Sequence, residues 1–83
     1  MNVSQAEFQN MKEEIVKDLI ARLMDEHGLT MQEAFDTVYN SRLFEKLSDP
    51  KTGLYFQSSG YVYSYLQEEM ENNIVPLRDV NNK

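Results

Sequence analysis

Eighty-three residues are enough for one domain and too few for two. Hydrophobic residues at 41% and charged residues at 27% describe a globular rather than a disordered chain, and a net charge of -6, from 14 acids against 8 bases, opposes nonspecific nucleic-acid binding. The absence of cysteine excludes disulfides and thiolate metal sites, and no stretch approaches the ~20 apolar residues needed to span a bilayer.

The opening segment, Met1 to Asn10, lacks the basic and apolar stretches of a secretion signal, so a cytoplasmic protein is expected. A long first helix is predicted from about Ser4 to His27. On a helical wheel Phe8, Ile15, Leu19 and Leu23 share one face, Val16, Ile20 and Met24 widen it, and Met11 sits on the opposite margin. Asn10, Glu14, Asp18, Ala21 and Asp25 form the far face. Glu13 with Lys17 and Asp18 with Arg22 are spaced for ion pairs. His27 suits the negative end of the helix dipole, and Gly28 suits the stop. The apolar arc is wider than the ~100° that one-sided packing requires. Either the chain itself covers the Val16, Ile20 and Met24 margin, or these three residues form a partner-binding ledge.

The second helix carries the clearest start signal. Thr30 and Glu33 have the spacing of a capping box, and Leu29 can staple onto Ala34. Its expected apolar face is Met31, Ala34, Phe35 and Val38, with Tyr39 as a further candidate. Gln32, Glu33, Asp36 and Thr37 are expected to point away. Phe35 lies central on this face and should meet Leu19 or Leu23. Ser41 can cap a short third helix from Arg42 to about Ser48 that buries Leu43, Phe44 and Leu47. Asp49-Pro50-Lys51-Thr52-Gly53 is a turn, and Leu54 to Phe56 is expected to be extended.

Tyr61 to Leu66 has the β propensity to close a hairpin on Leu54 to Phe56, but it continues into good helix formers. A helix from about Ser59 to Asn72 is the preferred reading, capped by Ser58 or Ser59. Val62 and Leu66 centre its apolar arc, with Tyr61 and Tyr65 on one flank and Tyr63 and Met70 on the other. Ser64, Gln67, Glu68 and Glu71 share the wet face. Glu69 falls between Tyr65 and Val62, where it either frays or pairs with a base such as Lys46 or Arg78. Val75-Pro76 makes the tail extended. Ile74, Val75, Leu77 and Val80 could pack back, and residues 81–83 should fray.

The fold expected is all-α: a compact bundle of about four helices, one long N-terminal, two short and one C-terminal, with a short extended segment and an extended tail, in a single domain 1–83. The expected core is Leu19, Leu23, Phe35, Val38, Phe44, Leu47, Val62 and Leu66.

Chemical machinery is sparse. His27 is the lone histidine, so zinc would need three carboxylates beside it. Ser41, His27 and Asp25 have no nucleophile-elbow spacing. Glu13-Glu14, Asp25-Glu26 and Glu68-Glu69 are sequence neighbours about 100° apart on a helix, and therefore not preformed acid/base dyads. No phosphate-cradling glycine pattern or EF-hand spacing is present. Tyr55, Tyr61, Tyr63 and Tyr65 near Phe56 fit a core edge with hydroxyls reaching water, ahead of a protein-binding surface and well ahead of a nucleic-acid platform. No catalytic, cofactor-binding or metal-binding residue is expected, and the chain is read as a non-enzyme.

The order of a first helix, Leu29-Thr30-Met31-Gln32-Glu33-Ala34-Phe35, then Leu54-Tyr55-Phe56-Gln57 and Tyr61 to Leu66, is similar to that of short uncharacterised bacterial α-helical proteins, some associated with toxin–antitoxin-like neighbourhoods. The likeness covers about Ile15 to Glu69 and implies a partner-binding role without a catalytic residue. The leading expectation is a non-enzymatic protein–protein interaction module, antitoxin-like or regulatory, binding a protein partner or a second copy. The alternative is a helix-turn-helix DNA binder, disfavoured by the net charge of -6. Neither nucleic acid nor membrane is expected as a partner.

Overall fold

The computed structural model describes residues 3–72, and the expectations for Ile74 to Val80 and for 81–83 lie outside the described residues. Four α-helices and two 3₁₀ turns follow one another, with no strand among the described residues: α1 (Gln5–His27), α2 (Met31–Tyr39), α3 (Arg42–Leu47), turns at Pro50–Thr52 and Leu54–Phe56, and α4 (Ser59–Glu71).

Local side chains begin each helix. Ser4 Oγ accepts the Glu7 amide at 3.1 Å while the Glu7 carboxylate accepts the Ser4 amide at 2.9 Å. Thr30 and Glu33 repeat the arrangement at α2, again at 3.1 and 2.9 Å. Each box satisfies amides that a helix start otherwise leaves without a partner. Gly28 ends α1 at φ 66°, a left-handed conformation that glycine adopts without a Cβ penalty. Ser41 joins two helices: its hydroxyl donates to the Val38 carbonyl at 2.6 Å and accepts the Phe44 amide at 3.0 Å. Ser58 caps α4.

Leu54 to Phe56 is a 3₁₀ turn rather than an extended piece. Gly53 at φ 70° reverses the chain, and Thr52 Oγ1 accepts the Leu54 amide at 3.3 Å. The reversal buries Leu54 and Tyr55 against α1, where Tyr55 meets the Phe8 ring edge-on at 4.9 Å. That turn leaves Tyr61 to Leu66 no strand to pair with, so the helix prevails and buries Val62, Tyr63 and Leu66.

One core draws on all four helices and the second turn. Leu19, Leu23, Val38, Leu47, Val62 and Leu66 are fully buried, as expected. Phe44 is half-buried, packed on the core's edge. Phe35 departs from expectation: it is 43% exposed and outside the core, whereas Thr37, expected to face solvent, is buried. The helix is rotated so that Ala34, Thr37 and Val38 face inward. Small side chains let α2 approach α1 closely, and the Thr37 hydroxyl is satisfied within the helix by the Glu33 carbonyl at 2.8 Å.

The wide apolar arc of α1 is used within the chain. Val16 is buried, and Ile20 and Met24 are half-buried against the core, so these three residues do not form an open ledge. The reason is position: α1 is contacted by α2, by α4 and by the second turn. Helix α4 is tied to the second half of α1, with Ser59 donating to Asp18 at 2.8 Å and the Tyr63 hydroxyl donating to Glu26 at 3.2 Å.

Candidate protein-interaction surface

Once the inward face of α2 is assigned to Ala34, Thr37 and Val38, its large apolar residues are left outside. Met31 is 65% exposed, Phe35 43% and Tyr39 40%. Spaced four apart, they form one ridge along the helix. The Phe35 and Tyr39 rings stack at 4.2 Å and 15°, and Tyr39 leans on Phe44 at 4.5 Å. Lys12 Nζ lies 5.5 Å from the Phe44 ring and 5.5 Å from that of Phe8, whose edge-on partner Tyr55 sits 4.5 Å from Phe56. The rings thus make a ribbon from α2 across α3 and the start of α1 to the second turn. Phe56, at its far end, is 46% exposed. Gln32 donates to Asp36 at 3.1 Å along the outer border.

The tyrosines of α4 divide by burial. Tyr63 is buried, with Arg22 5.5 Å from its ring, and burial followed by the Glu26 carboxylate pushes its hydroxyl pKa up to about 12. Tyr61 and Tyr65 stay exposed, their hydroxyls 3.1 Å apart. That hydrogen bond is the main reason the Tyr65 hydroxyl is raised above its ordinary value.

Glu69, expected to fray or to pair with a base such as Lys46 or Arg78, does not fray, and among the described residues its partners are backbone amides; Arg78 lies outside them. Its two carboxylate oxygens accept the backbone amides of Arg42 at 2.9 Å and Leu43 at 2.6 Å. A side chain from α4 thereby caps the start of α3 with a charge-assisted bond to each amide. No feature of the local sequence announces this partnership across 27 residues. The expected ion pairs of α1 also find other partners. Lys17 reaches Glu14 at 3.5 Å rather than Glu13, and Asp18 serves Ser59.

No family model, curated protein or solved structure matches the chain.

The remaining chemical groups are dispersed. Ser41 Oγ is held by Val38 and Phe44, away from any serine–histidine relay. His27 is exposed and borders a shallow recess with Gln67, Met70 and Glu71. Among the described residues no three His, Asp or Glu side chains are grouped to hold a metal ion, and no helix is long and apolar enough to cross a membrane. What this surface offers is contact area: polarizable rings and a flexible thioether, the side chains that adapt to a protein partner.

Proposed function

We propose that the chain is a non-enzymatic, cytoplasmic protein–protein interaction module that docks a partner through the outer ridge of α2. The observation that carries this reading is the exposure of Met31, Phe35 and Tyr39 on a helix whose inward face is already sealed by Ala34 and Val38. Clustered exposed apolar side chains mark interfaces, whereas scattered ones need no explanation. Stacking pre-orders Phe35 and Tyr39, which lowers the entropy lost when a partner seats on them.

The helix-turn-helix alternative has less to draw on. Helix α3 has six residues, and the backbone amides of Arg42 and Leu43 at its start are occupied by the carboxylate of Glu69. A regulatory or antitoxin-like role is compatible with the docking reading and belongs to the same proposal.

A photo-cross-linking side chain placed at Met31 in the host cell, with the adduct identified by mass spectrometry and the complex rebuilt from purified proteins, tests the reading. Phe35→Glu with Tyr39→Glu should weaken the rebuilt complex at least tenfold while far-UV circular dichroism stays that of wild type. An unchanged affinity would remove α2 as the docking face.

A further inference from the structure

The exposed face of α4 differs in kind from the ridge of α2. The Tyr61 and Tyr65 rings stand perpendicular at 5.4 Å and 89°. They are 48% and 38% exposed. Glu68 and Glu71 follow on the same side of the helix, all four residues falling within roughly 120° on a wheel. With Ser64 and Gln67 they line one shallow recess of about 380 Å³, and no basic residue contributes to it. Among the described residues the one ion pair is Lys17 with Glu14, and neither Glu68 nor Glu71 is in direct contact with a basic side chain there. Arg42 and Lys46 border Tyr65 and Glu68 from the other side, across a separate recess that also holds Glu69.

We propose that this face is a second docking site, for a partner helix that presents two cationic side chains. Aromatic ring faces attract guanidinium and ammonium groups, and the following carboxylates pair with them directly. The face extends about 15 Å along α4, and the tyrosine pair and the glutamate pair are centred about 10 Å apart. Residues i and i+7 of a partner helix have the same separation on one side of that helix. The open recess suits a side chain delivered by a polypeptide better than a free small cation, which needs enclosure. The net charge of -6 steers a basic partner toward the chain as a whole, and the local carboxylates set its register.

The site is independent of the α2 ridge, and the test keeps the two apart. The isotope-labelled 83-residue chain is titrated at low salt with a synthetic alanine-rich helix carrying arginine at i and i+7, and with the same peptide carrying glutamine there. The arginine peptide should shift the resonances of Tyr61, Tyr65, Glu68 and Glu71, and the glutamine peptide should not. Tyr65→Leu and Glu68→Gln should each weaken binding about three- to fivefold, as expected of one exposed cation contact. Both positions are exposed, and circular dichroism checks that the variants fold. Phe35→Ser, which leaves the net charge as it is, should leave the arginine peptide's affinity unchanged. Equal binding of the two peptides, shifts centred elsewhere, or unaltered affinity in the α4 variants would overturn the proposal.

Discussion

The two sides of α2 sort its residues against their size. Ala34, Thr37 and Val38 are sealed against the core while Met31, Phe35 and Tyr39 face solvent. Hydrophobicity alone would turn the helix the other way, because a buried phenylalanine removes far more apolar area from water than an alanine. Close packing decides the matter. Helices α1 and α2 are joined by only three residues, Gly28 to Thr30, and the inward face of α2 carries the small side chains of Ala34 and Thr37 beside Val38. The large side chains are consequently free to serve an exterior surface, and stability and binding should separate cleanly between the two sides.

The largest effect is expected on the inner side. Leu23→Ala, at a fully buried site, should lower unfolding free energy by about 2–5 kcal/mol in urea titration. A loss near zero would mean that the core is looser than its burial implies. Glu69→Ala should come next, at about 1–3 kcal/mol, because it strips the acceptor from two α3 amides. Glu69→Gln should recover part of that loss, since an amide oxygen still accepts a hydrogen bond without the charge. Equal stability of the two variants would assign the whole effect to the carboxylate's charge and its second acceptor oxygen, and none to the bulk of the side chain.

Thr30→Ala, which opens the capping box of α2, should cost about 1 kcal/mol. Phe35→Ala should cost about 1 kcal/mol or less, limited to the stacking with Tyr39 and partial burial. A loss as large as that of Leu23→Ala would collapse the distinction between the two sides.

One further effect is confined to alkaline pH. The Tyr63 hydroxyl is raised from 10.0 to about 12 in the fold, so the folded chain holds this proton more tightly than the unfolded one. Its contribution to stability is complete below pH 10 and is lost as pH rises from 10 to about 12. Unfolding at pH 9 and pH 11.5 should show this loss in wild type, and Tyr63→Phe should reduce it.

How far the fold was legible depends on the range of the interaction. Thr30 with Glu33, Gly28, Ser41 and Ser58 act within three or four residues of themselves, so their chemistry could be read in place. Ser4 with Glu7 had the same spacing, yet the expectation for α1 rested on its periodic face and did not include the box. The core leucines of α1 were legible because the central line of a long amphipathic helix faces inward whatever packs against it. The α2 ridge was hidden by an assumption that the largest side chains mark the inside. Ala34 and Thr37, both small and on one side, were the available signal for close approach.

The sequence by itself therefore determined the extent of α1, α2 and α3, the predominance of helix, and the leucines and valines at the centre of the core. These follow from short-range capping and from a hydrophobic period that needs no knowledge of neighbours. Tertiary structure alone decided the rotation of α2, the closing of the Val16, Ile20 and Met24 margin, and the use of Glu69 as a cap for α3. Each depends on which surfaces compete for the same space, and that competition is settled only when elements distant along the chain pack together.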